Sequence, residues 1–257
     1  MFPRCPRILA SSARLPLSGR AALPPVARWI LDLPLTSSLI RSLTLALAVA
    51  TMPAHALLPT PPPTALNRES ASDLYAQKLA AARTAYFRML TTGSRSADRA
   101  AHAALDSLEQ SYPGDPTAEA YHGSLQLLDA AHDWQIWNLH RNATEGLARL
   151  DQAVAAAPDN PEVRFMRAAT SWHLPAFYHR RAQCEADFAW LARHAATSAH
   201  TGTLPPELAA ASLNYWGQIL VQRGQSGNAR LAFQQAVELA PSSPAATDAA
   251  RHLRSLP

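Results

Sequence analysis

Residues 212–245 read SLNYWGQILVQRGQSGNARLAFQQAVELAPSSPA, and this stretch decides the fold class. Gly224 separates two helical segments, because glycine adopts the left-handed conformation that follows a helix without steric cost. Pro241 ends the second segment, since proline lacks an N–H group and clashes with the preceding turn. Small and aromatic residues recur at helical spacing between these two points, at Ala229, Phe233 and Ala236. The stretch therefore predicts a helix, a tight turn and a second helix.

The proline turn that closes this stretch occurs three times within residues 69–257. The pattern Pro-x-x-Pro starts at residues 113, 158 and 241, at intervals of 45 and 83 residues, and the second interval is roughly twice 42. In each copy the first proline stops a helix, and the second lies in the first turn of the next helix, where its missing N–H is harmless. A recurrent unit of this length is typical of stacked helical repeats.

The composition supports a helical protein. Hydrophobic residues make up 48% of the chain but aromatic residues only 7%, and there are only 9 glycines among 257 residues. Abundant alanine and leucine favour helices and allow them to pack closely. The sequence predicts an all-α array of antiparallel helix pairs over residues 69–257, closed by a short capping helix over residues 245–256.

The stretch 212–245 resembles a tetratricopeptide (TPR) repeat, a 34-residue helix–turn–helix. The order of small, aromatic, alanine and proline residues in that family is matched at Gly217, Ala229, Phe233, Ala236 and Pro241. The rest of the body resembles a broader class of paired-helix repeats. The resemblance implies an α-solenoid whose first helices line a concave groove that binds a peptide or protein. The family's groove-facing positions correspond here to Asn214, Gln218, Val221 and Gln222.

Asn214 and Gln218 lie four residues apart and should project to the same side of their helix. Their amides can donate and accept hydrogen bonds together, which suits a peptide backbone. The stretch 164–181, RFMRAATSWHLPAFYHRR, is the densest in aromatic and cationic residues. It adds three candidate contacts to the predicted partner-binding set, whose members are Asn214, Gln218, Gln222, Trp172, His173 and Arg164. Phe165 and Phe177 are expected in the core between repeats.

A rival hypothesis is a small-molecule-binding or enzymatic helical domain. It would use a cluster formed by Trp134, Trp137, His140, Trp172 and His173. An enclosed pocket at those residues would favour the rival, whereas an open groove would favour the scaffold. Motifs for zinc proteases, phosphate-binding loops and serine hydrolases do not occur in the chain. The sequence therefore predicts no catalytic residue and no cofactor.

Metal and nucleic-acid binding are not expected either. His173 and His179 are separated by a proline break, and with His194 they lack the spacing of a helical metal site. Six of the 23 basic residues but only one of the 19 acidic residues fall within residues 1–56. The remainder is therefore close to neutral, and the net charge of +4 gives no reason to expect a nucleic acid partner.

Residues 1–56 predict a targeting segment. Arg41 precedes an apolar run over residues 43–52, and Ala54-His55-Ala56 follows, which is the order of a secretory signal. The run is too short to span a bilayer as a stable helix. Cleavage is expected after Ala56, which would place the mature chain in the periplasm or outside the cell. Residues 57–68 then form a proline-rich linker, expected to be extended over 57–66.

The leader leaves two alternatives open. About 40 residues precede the apolar run, and their richness in arginine, proline and serine also suits an organelle transit peptide. A start codon assigned too far upstream is the other alternative. In the body, the first helix is expected to run from about Ser70 to Leu90, and residues 195–204 to form a polar loop. Cys184 is expected to be a buried small hydrophobic residue.

Overall fold

The computed structural model describes residues 63–132 and 136–256, with side chains described for residues 71–130 and 140–256. These residues form nine α-helices and one short 3-10 helix, Ala176–Tyr178, and no strand occurs among them. The α-helices are α1 Pro63–Thr92, α2 Arg95–Ser111, α3 Pro116–His132, α4 Ile136–Ala156, α5 Pro161–Ser171, α6 Arg181–His200, α7 Pro206–Gln222, α8 Ser226–Leu239 and α9 Pro244–Ser255. The predicted all-α class is therefore confirmed.

The helices pack as neighbouring pairs. Helix α1 packs against α2, α3 against α4, α5 against α6 and α7 against α8, and α9 covers both members of the last pair. The first helices of successive pairs also touch, since α3 contacts α5 and α7 contacts both α5 and α9. One continuous core runs through all the pairs and includes Leu105, Leu150, Phe188 and Phe233, each fully buried.

Local sequence rules account for where several helices begin. Pro116, Pro161 and Pro244 are the first residues of α3, α5 and α9, which confirms the predicted role of the second proline in each turn. The Asn160 side chain accepts from the backbone N–H of Val163, and the Ser243 side chain accepts from that of Ala246. These caps satisfy helix N–H groups that have no partner within the helix.

Glycines set the closest helix contacts. A Cβ atom on Gly217 would lie 2.5 Å from the Phe233 ring, so only glycine lets α8 approach α7 at this point. A Cβ atom on Gly123 would lie 2.8 Å from the carbonyl oxygen of Gly146, and a Cβ atom on Gly146 would lie 2.7 Å from the carbonyl oxygen of Gly123. Gly224 has φ +73° and ends α7 in the predicted left-handed conformation.

Several predicted boundaries were wrong. Helix α1 begins at Pro63, so residues 63–66 of the expected extended linker are helical, and residues 57–62 lie outside the described part. Helix α6 continues to His200, so residues 195–200 of the predicted loop 195–204 are helical. Ala195 and Ser198 are buried there, because they continue the buried stripe of α6 that includes Phe188 and Leu191.

One cysteine and two phenylalanines test the predicted core. Cys184 is buried as expected, and burial raises the pKa of its thiol to about 12, so it stays protonated and unreactive. Phe165 is also buried as expected. Phe177, in contrast, is 64% exposed. The prediction for Phe177 was wrong because α5 ends at Ser171, so Phe177 lies in the 3-10 turn and not on the helical stripe.

None of the described helices combines the length and the apolar character needed to cross a membrane. The predicted targeting segment 1–56 lies outside the described residues, and so does the expected cleavage after Ala56.

Candidate functional site

Side chains of the first helices meet one another in the N-terminal half of the array. Arg83 Nε of α1 donates to Glu162 Oε1 of α5 at 2.6 Å, and Arg83 Nη2 donates to Glu162 Oε2. The Tyr121 hydroxyl of α3, which lies between them in the chain, donates to Glu162 Oε1 at 2.8 Å. Arg83 and Glu162 are 79 residues apart in sequence, so this cluster connects the first and third pairs directly.

A second polar row lies beside the first. The Tyr86 hydroxyl of α1 and the Ser124 hydroxyl of α3 are 2.5 Å apart, and Ser124 and Thr170 hydroxyl oxygens are 2.7 Å apart. Burial raises the pKa of Tyr86 to about 12, and its hydrogen bonds to Ser124 and Thr170 only partly oppose this. The hydroxyl therefore stays protonated near neutral pH. Both rows are buried between α1, α3 and α5, and they join the first helices of the first three pairs.

Asn214 does not line an open surface. It is 6% exposed, and its Nδ2 donates to Asp248 Oδ2 of α9 at 2.9 Å. Asn214 was expected to face a groove, but it is buried, because α9 covers this side of α7. Gln218, four residues later, is half-buried, and Val221 and Gln222 are exposed.

Asn214→Ala should therefore lower the free energy of unfolding, by about 1–3 kcal/mol, because the carboxylate of Asp248 loses its buried donor and keeps only the exposed Arg251 as a hydrogen-bond donor. The matched control is Gln218→Ala on the same face of α7, which should change stability by less than about 0.5 kcal/mol. Urea unfolding of both variants measures the difference. Equal stability of Asn214→Ala and the unmodified chain would contradict this role for Asn214.

Three of the predicted partner-binding residues meet around Arg181. The Arg181 guanidinium lies 3.6 Å from the centroid of the Trp172 ring and donates to Gln222 Oε1. The Tyr215 ring contacts both Trp172, with centroids 5.9 Å apart, and His173, at 6.5 Å. Burial, and then the charge of Arg181, lowers the pKa of His173, which favours its neutral form.

Arg164 lies elsewhere. Its Nη1 donates to Asp187 Oδ1 of α6 at 2.8 Å, its Nε donates to the Pro158 carbonyl at 2.5 Å, and its guanidinium lies 4.7 Å from the Trp190 ring centroid. Asp187 is 1% exposed and also accepts from Arg167. Arg164 therefore neutralises a buried charge between α5 and α6, and it does not join the other predicted residues.

A row of charged and aromatic side chains extends from Trp172 to Trp216. Arg181 Nε donates to Glu185 Oε1 at 2.9 Å, and Arg223 Nη2 donates to Glu185 Oε2 at 2.6 Å. Arg223 in turn lies 5.6 Å from the Trp216 ring centroid. Partial burial raises the pKa of Glu185, but the hydrogen bonds and charges of the two arginines outweigh it and lower that pKa. We call these five residues the tryptophan–arginine row.

The residues of the rival hypothesis do not form one cluster in the described part of the chain. His140 is exposed and stacks on Tyr178, with ring centroids 6.2 Å apart. Trp172 and His173 instead pack against Tyr215. Trp134 and the side chain of Trp137 lie outside the described residues.

An open groove lies among α6, α7 and α8, at the end of the tryptophan–arginine row. Its apolar lining includes Trp216, which is half-buried, and Leu231, which is 58% exposed. The groove is lined by Ala192 and Arg193 of α6, by Leu213, Trp216 and Leu220 of α7, and by Gln225, Asn228, Leu231, Ala232 and Gln235 at and along α8. We call this surface the α6–α8 groove. An apolar centre with polar residues around it is the usual anatomy of a protein interface.

No protein-family model, curated protein or solved structure matches the chain. The resemblance to tetratricopeptide repeats therefore remains an expectation from the sequence. The surfaces that the helix pairs present are therefore the basis for a proposed function.

Sequence reasoning missed the residues that build these surfaces. Arg181 and Arg223 are separated by 42 positions, and nothing local indicates that both reach Glu185. Leu231 falls between the buried Ala229 and Phe233 stripe positions, and its large apolar side chain off that stripe was an available signal.

Proposed function

We propose that the chain is an exported, non-enzymatic scaffold of TPR-like helix pairs that binds a helical segment of a protein partner in the α6–α8 groove. The observation that carries the proposal is the open apolar lining around Trp216 and the exposed Leu231, bordered by amides and an arginine. Exposed apolar surface with a polar rim is typical of protein-binding sites.

The spacing of the lining residues suits a helical partner. Leu213, Trp216 and Leu220 fall at i, i+3 and i+7 on α7, a stripe about 10 Å long, or two helical turns. Leu213 and Leu220 are buried, so the half-buried Trp216 and the exposed Leu231 of α8 supply the accessible apolar surface. An amphipathic partner helix presents its anchors at the same intervals. The amides of Gln225, Asn228 and Gln235 can donate and accept hydrogen bonds along one side.

Charge indicates which amphipathic helix fits. Arg193 lines the α6–α8 groove, Arg223 lies against Trp216 at its edge, and none of the described lining residues is acidic. A partner helix with aspartate or glutamate beside its apolar face would be attracted, and a basic helix would be repelled. We therefore expect the partner segment to be amphipathic and acidic.

Leu231→Asp should weaken binding of such a segment at least about tenfold. The new carboxylate replaces an apolar contact, and its charge repels the acidic residues of the partner helix. The probe is a displayed library of amphipathic helical peptides, selected on the full chain and measured by fluorescence anisotropy. We expect enrichment of peptides with apolar residues at i, i+3 or i+4 and i+7 and acidic residues beside them.

The matched control is Val221→Asp, at an exposed apolar residue on α7 that does not line the groove. It should bind the selected peptides as the unmodified chain does. Selected peptides that are basic, or that bind Leu231→Asp undiminished, would contradict the proposal. If Gln218→Ala instead abolishes binding of the selected peptides, the binding site lies at the groove-facing positions expected from the TPR resemblance.

A further inference from the structure

A mixed group of imidazole and carboxylate side chains lies between α2 and α3, away from the α6–α8 groove. Asp98 and His102 are one turn apart on α2, and Asp129 lies on α3. One ligand atom of each lies within 4.8 Å of the other two, and His102 Nε2 is 3.3 Å from Asp129 Oδ2. The i, i+4 spacing places the two α2 side chains on the same face.

The distances are close to those that a metal ion requires. Three atoms within 4.8 Å of one another all lie within about 2.8 Å of a common centre, whereas zinc–nitrogen and zinc–oxygen bonds are about 2.0–2.2 Å. A 3.3 Å separation already equals the distance between two ligands of a tetrahedral ion with bonds of about 2 Å. Small rotations of partly exposed side chains would close the remaining gap, so no helix would need to move.

The charges of these side chains also favour a bound metal ion. The site brings Asp98 and Asp129 together across two helices, and like charges at this distance repel. A divalent cation would compensate both carboxylates and bind the neutral imidazole.

Rigid elements hold the three residues. Ser94 caps the start of α2 by accepting from the backbone N–H of Ala97, and the buried Ala97 and Ala101 hold that helix against the core. Asp98 and His102 therefore project from the anchored first two turns of α2. Partial exposure of all three ligand residues leaves room for a water molecule as fourth ligand.

We propose that Asp98, His102 and Asp129 form a binding site for a divalent transition-metal cation, with one imidazole nitrogen, two carboxylate oxygens and water as ligands. This donor set fits Zn²⁺, which accepts nitrogen and oxygen ligands without a geometric preference of its own. The ion would link α2 to α3 and so join the first pair to the second. The site is independent of the proposed partner binding.

The test is isothermal titration of Zn²⁺ alone into the full chain, with Co²⁺ absorption as a report on ligand geometry. We expect the unmodified chain to bind Zn²⁺ and His102→Ala to lose this binding. Asp98→Asn and Asp129→Asn should each lower the affinity for Zn²⁺ at least tenfold. The matched control is His200→Ala, at an exposed histidine of α6, which should leave that site unchanged. Zn²⁺ should also raise the melting midpoint of the control but not of His102→Ala.

Asp98→Asn is the decisive variant. An ordinary ion pair between His102 and Asp129 does not need Asp98, so unchanged Zn²⁺ binding in Asp98→Asn would overturn the proposal. The proposal would also be overturned if the unmodified chain showed no measurable Zn²⁺ binding, or if His200→Ala lost Zn²⁺ binding as fully as His102→Ala does.

Discussion

Phe233→Ala is expected to lower the free energy of unfolding by about 3–5 kcal/mol. The Phe233 side chain is fully buried, its ring fills the space that Gly217 leaves on α7, and it stacks on the His252 ring of α9 with centroids 5.0 Å apart. Truncation removes the apolar transfer energy and leaves a cavity where three helices meet. Helix backbones cannot collapse into that cavity without losing their other contacts.

Urea unfolding followed by circular dichroism measures this change. The matched control is Leu231→Ala on the same helix, where 58% exposure predicts a loss of at most about 0.5 kcal/mol. The comparison separates burial from helix propensity, because both variants introduce alanine into α8. If Phe233→Ala unfolds at the same urea concentration as Leu231→Ala, the packing of α7, α8 and α9 described above is wrong.

Arg83→Met should be comparably destabilising, by about 3–5 kcal/mol, because it leaves the carboxylate of Glu162 buried without a cation. Glu162 is 2% exposed and accepts from Arg83 and from Tyr121. Tyr121 alone supplies a single neutral donor. The loss should also loosen the contact between α1 and α5, which this cluster joins across 79 residues.

The double variant Arg83→Met with Glu162→Met distinguishes the buried charge from lost packing. An apolar pair of similar volume removes the unpaired carboxylate, so the double variant should be more stable than Arg83→Met alone. Arg251→Met is the exposed control: the Arg251 side chain is 62% exposed and its pair with Asp248 should be worth less than about 1 kcal/mol. Equal losses for Arg83→Met and Arg251→Met would show that the buried cluster contributes little.

Most of the secondary structure was predictable because its determinants are local. Proline positions set the starts of α3, α5 and α9, and Gly224 sets the end of α7. The spacing of Ala229, Phe233 and Ala236 identified the buried stripe of α8. Errors arose where a local signal was misleading, as in residues 195–200, which were expected in a polar loop but continue the buried stripe of α6 at Ala195 and Ser198.

The candidate sites were much less predictable. Asn214 was expected to face a partner, and it faces Asp248 instead, because α9 packs over that side of α7. Arg164 was expected on the same surface as Trp172, but it neutralises Asp187 between α5 and α6. In both cases the amino-acid type indicated that the residue needs a polar partner when it is buried. The sequence did not indicate where in the fold that partner lies.

By itself the sequence determined that the chain forms paired helices, where most of them start, and which stripe of each is apolar. These properties depend on backbone sterics and on spacing within one or two helical turns. Only the tertiary structure decided which polar side chains are buried, which arginines share Glu185, and that an open groove lies among α6, α7 and α8. Those properties depend on which helices become neighbours, and residues such as Arg83 and Glu162 meet only after the chain between them has folded.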